Sequence, residues 1–228
     1  TMGGMFENCS LLQNLYINNF NTTNLVNIWF MFTRCSALTT LDLSSFDTSK
    51  ATSTSNMFNG CASLVTLDLS NFNTSNMTSM TAMFKLCSSL TSLNLSGFNT
   101  SKVTNMNSMF STCRNLVNLD ISSFNTSNVG DMGYMFTNCS NLTTLDLSMF
   151  NTSKVTDMIG MFRSSIKLQT KINIMNANVT GYTDMFSEAA TEANAKITVN
   201  YIANASTLVD NMIATKSSNS NVVKGNQI

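Results

Sequence analysis

A repeat solenoid, its coils wound right-handed and stacked on one parallel β-sheet, is the fold predicted for this sequence, and three features predict it. A Met-Phe pair returns every 26 residues, at Met5, Met31, Met57, Met83, Met109, Met135 and Met161. Cys9, Cys35, Cys61, Cys87, Cys113 and Cys139 keep the same interval, as do Leu15, Leu41, Leu67, Leu93, Leu119 and Leu145. So do Phe20, Phe46, Phe72, Phe98, Phe124 and Phe150. A fixed period of this length means that each repeat is one structural unit, unable to bury its apolar face alone and stable only against its neighbours. Parallel crossovers of this kind strongly favour the right hand.

One coil, Met57 to Ala82, shows the elements in order. Leu64, Leu67 and Leu69 follow L-x-x-L-x-L, and the last two, two residues apart, face one side of a short strand. Thr66, Asp68 and Ser70 face the other side, toward solvent. Phe72 closes the strand onto the core. Asn73-Thr74-Ser75 follows as a turn, since short polar side chains bond their own backbone. Met77, Met80, Met83 and Phe84, at roughly three-residue spacing, predict a helical or 3₁₀ turn with one buried stripe. Cys87 leads into the next strand.

The run L-x-x-L-x-L-S-x-F-[ND]-T-S-x-[VM]-T-x-M-x-x-M-F-x-x-C resembles the BspA-like leucine-rich repeat of bacterial surface proteins. The resemblance covers residues 1–165. It implies a leucine-rich-repeat-like coil stack with short helical turns opposite the sheet. It also implies exposure on cells or particles, adhesion to host proteins or other surfaces, and no catalytic residues. Related repeats occur in phage and mobile-element proteins.

Along the chain, residues 1–165 read as regular repeats. The first coil is partial, and because Thr1 falls inside a repeat the chain is expected to be a fragment with domains upstream. Residues 166–194 read as a degenerate last coil: Ser165 stands where the cysteine should be, Ile172 and Ile174 keep a strand pattern, and Met185-Phe186 arrives two residues early. Residues 195–228 read as a C-terminal cap that covers the open sheet edge. It comprises a strand over Lys196–Ile202 and a short helix capped by Ser206, with Leu208, Val209, Met212 and Ile213 on one face. A last strand follows at Val222-Val223.

Charge is sparse, 12 basic against 12 acidic residues, so no electrostatic footprint for nucleic acid or an anionic membrane exists. No apolar run approaches a membrane span. The six cysteines are expected to form a buried ladder of small thiols. Stacked side chains run parallel where a disulfide needs them converging, and the chain has no histidine to help hold zinc. Most of the 17 methionines repeat in register with phenylalanine and are expected in the core.

The candidate ligand-binding residues are the outward column Asp42, Asp68, Asn94, Asp120 and Asp146, and three aromatics that break the repeat, Trp29, Phe30 and Tyr134. A column of like charges can recruit Ca²⁺, but a flat face offers few converging oxygens, so a solvated column bonded to its Ser and Thr neighbours is expected. Neither a metal nor a cofactor is called for. Lys50, Lys102 and Lys154 recur on alternate coils, a pattern suited to solubility or to a sulfated glycan. Asn73, Asn99, Asn125 and Asn151 match glycosylation acceptors, although their recurrence has a structural reason.

These features predict a non-enzymatic, surface-exposed adhesion or receptor-binding module. It would recognise a host or neighbouring-cell protein or glycan through many weak contacts, at the cell surface, outside the cell or on a virion. A structural spacer, such as part of a phage tail or particle, is the alternative. An enzyme would need a converging constellation that breaks the repeat.

Overall fold

The computed structural model describes residues 1–228 and shows the stacked coils that the period demands. A single core runs the length of the stack, from Ile17 to Val222. Its spine is a column of eight phenylalanine rings, Phe6, Phe32, Phe58, Phe84, Phe110, Phe136, Phe162 and Phe186. Neighbouring centroids lie 5.6–6.0 Å apart with planes within 11° of parallel. That spacing is the offset stacking aromatic quadrupoles favour. The in-register methionines flank the spine in full burial except in the first coil, where Met2 is partly buried and Met5 exposed.

The Leu-rich face pairs in parallel, but in short pieces. Strands β1 (Thr66–Asp68) and β2 (Ser92–Asn94) pair residue for residue. Further along the same face, single bridges join Asn118 to Thr144 and Thr144 to Gln169. There it enters a three-stranded parallel sheet, β3 (Gln169–Ile174), β4 (Lys196–Tyr201) and β5 (Val222–Gln227). The regular strands stop short because the side chain at the Asp68 position accepts the N–H two residues on and turns the backbone away.

The Met-Phe segments differ from expectation. No helix forms there; the turns are tandem β-turns. Each places a left-handed residue just before the Met and another three after it, as with Asn56 and Gly60, or Ala82 and Leu86. Three N–H groups per turn then point at the next coil: Asn56, Phe58 and Gly60 donate to the carbonyls of Thr81, Met83 and Lys85 at 2.8–2.9 Å. A helical turn would direct those donors back along its own chain. The three-residue spacing of the methionines mimics a helical stripe, but inter-coil bonding wins, because it repeats at every layer.

The C-terminal segment forms the expected cap: β4, a 3₁₀ turn over Ala203–Ala205, helix α1 (Ser206–Ile213) and β5. Val209 and Met212 are buried, with Leu208 and Ile213 packed on the core. Ser206 does not cap the helix. Ala205 is the N-cap, and the Ser206 hydroxyl instead accepts from Lys224 at 2.8 Å. Thr215 and Ser217 finish the stack, their hydroxyls accepting the N–H groups of Phe186 and Glu188.

Candidate functional site

Two columns of polar side chains run along the outside of the coils, and both are built by bonds local to the repeat. In the first, Asp42, Asp68, Asp120 and Asp146 each accept the backbone N–H of the serine two residues on, at 2.8–3.0 Å. Asn94 does the same to Ser96 at 3.2 Å. These bonds, with the serine hydroxyls, hold the four carboxyls below their ordinary pKa. The column is thus a row of turn caps that leaves its remaining oxygens to solvent. Its partner in β3 is Lys171, placed beside Asp146 because Thr144 pairs with Gln169. Where the charge changes sign, Asn118, Asp120, Thr144, Asp146, Gln169 and Lys171 line an open, shallow depression of about 560 Å³.

The second column alternates residue type with each coil: Asn24, Lys50, Asn76, Lys102, Asn128, Lys154. Each lysine ammonium donates to the Asn Oδ1 of the coil before, at 2.6–2.9 Å. Asn76 and Asn128 pass the chain on, donating to the carbonyls of Ser49 and Ser101. Alternation keeps like charges two layers apart, so the lysines seen in the sequence are half of a paired ladder.

The Asn-Thr-Ser turns have a division of labour that the sequence reading missed. The asparagine caps the serine N–H, as Asn73 does for Ser75. The threonine is buried and staples coils together: Thr100 donates to the Asn125 carbonyl at 2.9 Å and accepts the Asn125 N–H at 2.7 Å. Thr126 does the same to Asn151. The available signal was that this slot holds Thr in every regular coil, at Thr22, Thr48, Thr74, Thr100, Thr126 and Thr152, where neighbouring polar slots vary.

The thiols form the expected ladder, with one exception and one addition. Five are buried and none is in a disulfide, but Cys9, on the first coil, is exposed. Each buried thiol also donates to a phenylalanine carbonyl one coil back, Cys87 to Phe58 and Cys113 to Phe84, at 3.1–3.2 Å. Ser165, where the cysteine is lost, keeps that bond to Phe136 at 2.6 Å. Burial pushes Cys35 up to about 11 and Cys87 and Cys139 up to about 12, and raises Cys61 and Cys113 well above the ordinary thiol value.

The three aromatic outliers do not come together. Trp29 and Phe30 lie on the second coil, Tyr134 four coils on. Phe30 and Tyr134 share one slot, at φ 56° in both. The Trp29 ring covers Gly3, and the Tyr134 ring covers Gly160, where a Cβ would meet it at 2.8 Å. Both large side chains thus spread over a glycine in the adjoining coil, a pairing legible as an aromatic and a glycine one period apart. All three stay partly exposed, Trp29 most at 48%. No three acidic or thiol groups converge as a metal site would require. No helix is long and apolar enough to cross a membrane.

A family model described as a Mycoplasma protein of unknown function, DUF285, matches residues 1–93 and again residues 83–201. No curated protein and no solved structure matches the chain.

Proposed function

This chain belongs to the DUF285 family, and from that premise and the faces described above we propose that it is a non-enzymatic adhesion module that recognises a host or neighbouring-cell glycan or protein at the cell surface. One observation carries the reading. The outward column presents an Asp or Asn side chain on five successive coils, fixed by its own turn, and in the four aspartates with a second oxygen left for a partner. Groups pre-set in this way lose little freedom when they bind, which favours summed weak contacts over one deep pocket. The depression around Asp120, Asp146 and Lys171 adds both charge signs at one place. The resemblance of the repeat to BspA-like surface proteins supports the same reading. No constellation for catalysis breaks the repeat, so the module is proposed as a binder and not as an enzyme.

A glycan and surface-protein array probed with the whole chain tests this. The expected result is a set of hits whose binding weakens when Asp120→Ala and Asp146→Ala are combined. Silence across the array at every concentration used overturns the reading. The unbroken phenylalanine spine favours a second reading, a spacer in a cell-surface filament or phage tail. Imaging of the source particle separates the two, because a binder sits at the tip and a spacer in the shaft.

A further inference from the structure

The sheet side of the stack changes shape and charge together at one place. In the regular coils an Asp-capped turn follows the strand, as at Asp120–Ser122 and Asp146–Ser148. The next coil has no such turn. Thr126 staples to the Asn151 carbonyl, but Thr152 staples to the Asn173 carbonyl, so the straight strand β3 covers with fewer residues the ground that the coil before it covers by turning. A step results, and the depression lined by Asp120, Asp146, Gln169 and Lys171 spans it. Leu119 and Leu145 form its floor. A second depression, of about 240 Å³, continues from it over β3 and β4; it shares Gln169 and Lys171 and adds Lys196 and Thr198. The fold does not consume the charges of this face. Asp120 and Asp146 each cap their turn through one oxygen and keep the other clear. Lys50, Lys102, Lys154 and Lys167 each hold an asparagine of the coil before, whereas Lys171 and Lys196 stand exposed and belong to neither ion pair of the structure, Arg163–Asp184 and Lys224–Asp210.

We propose that this step binds an acidic oligosaccharide, whose neutral ring hydroxyls donate to the Asp120 and Asp146 carboxylates and whose carboxylate or sulfate is held by the Lys171 and Lys196 ammoniums. The inference rests on the adhesion reading above and narrows its ligand to one class. Each part of the face asks for a part of that ligand. Ionised carboxylates only accept hydrogen bonds, so the free oxygens of Asp120 and Asp146 need donors, which sugar hydroxyls supply. Leu119 and Leu145 offer an apolar floor to the C–H face of a ring. Gln169 pairs with Lys196 and Lys171 with Thr198, so the two lysines project from neighbouring strands on one face, and both ammoniums can reach a single anion. The four layers from Asp120 to Lys196 span ~14 Å at the parallel-strand spacing, the length of a short run of sugar rings. Other occupants fit less well. The main chain here is already bonded from coil to coil, Leu145 to Gln169 and Gln169 to Thr143, so an extended peptide finds no open edge. A nucleic acid or a densely sulfated chain carries an anion on every unit, and Asp120 and Asp146 repel it.

Amide chemical shifts of the whole 228-residue chain, followed during titration with sialyllactose, sulfolactose, a hyaluronan hexasaccharide, a heparin fragment and neutral lactose, test the proposal. Saturable shifts around Thr144, Gln169 and Lys171 are expected from sialyllactose, sulfolactose or the hyaluronan fragment, and weaker ones from lactose; the sialyl and sulfo arms tell a carboxylate from a sulfate. Lys171→Gln combined with Lys196→Gln should raise the Kd of the acidic probe by about tenfold or more. Lys50→Gln combined with Lys102→Gln should leave it unchanged, since those lysines serve the asparagine ladder. All four side chains are exposed, and thermal melts matching the parent chain show the fold intact. Absence of shifts from every acidic probe overturns the proposal, as do shifts that survive the Lys171 and Lys196 changes, or tighter binding of heparin than of the sparsely charged probes. Hits on a glycan and protein array that persist in the Lys171 and Lys196 double variant overturn this assignment and leave the adhesion reading standing, whereas a silent array removes both.

Discussion

The same chemical change, threonine to valine, is expected to have opposite signs at two buried positions. Thr54 is fully buried, and its hydroxyl has no hydrogen-bond partner. It occupies the slot that holds Ile28, Met80, Met106, Met132 and Met158 in other coils, all fully buried. A lone hydroxyl there gives up its bonds to water and receives nothing back. Thr54→Val keeps the shape, removes that cost and should stabilise by ~1–3 kcal/mol. Thr100 is just as buried, but its hydroxyl serves both the carbonyl and the N–H of Asn125. Thr100→Val strands two backbone groups at once and should destabilise by about 2–4 kcal/mol. At ~3 °C per kcal/mol for a chain of this size, the melting temperatures should move roughly 3–9 °C up and 6–12 °C down. Urea unfolding followed by circular dichroism and by aromatic fluorescence reads both, and coincidence of the two probes checks that the stack unfolds as one unit. If both variants lose stability, or both gain it, the assignment of hydroxyl partners that underlies the coil-to-coil staple is wrong.

Three further outcomes follow from the same geometry. Leu86, exposed and at φ 62°, should stabilise on replacement by glycine by ~0.5–1 kcal/mol, whereas Gly160→Ala, at φ 55° and against the Tyr134 ring, should destabilise by ~1–3 kcal/mol; thermal melts give both signs. Native alkylation at mildly alkaline pH should label Cys9 alone, with the other five thiols reacting only on unfolding, as intact-mass spectrometry would count. The acidic column sets an acid limb. The turn-capping N–H groups put the folded pKa values of Asp42, Asp68, Asp120 and Asp146 below the unfolded ones. Their stabilisation is therefore complete above the unfolded pKa and is lost as pH falls through the lower folded value. Changing all four to Asn, which Asn94 shows can still cap the turn, should keep the fold at neutral pH and flatten the stability profile below about pH 4; an unchanged acid limb would show that other groups set it.

How much of this could be read from the chain follows from what repetition reports. A strict period reveals which positions are under the same constraint, so the stacking, the core columns and the cap were legible. It does not reveal what the constraint is. Leu86 and Tyr134 give no hint of left-handed backbone, and the equivalent Gly60 and Gly160 give one only when aligned with them one or more periods apart. The methionine spacing matched a helix because both a helix and this turn bury side chains at near three-residue intervals, and only the direction of the N–H groups tells them apart.

The outward face was harder for a physical reason. Asp68, Asn73 and Lys102 look from sequence like groups awaiting a ligand, yet each is spent first on holding its own turn or the coil beside it. In a solenoid every polar column must satisfy its neighbours before it can serve a partner, so recurrence of a polar residue marks architecture by default. Function is to be sought where the columns break, as at the sign change from Asp146 to Lys171.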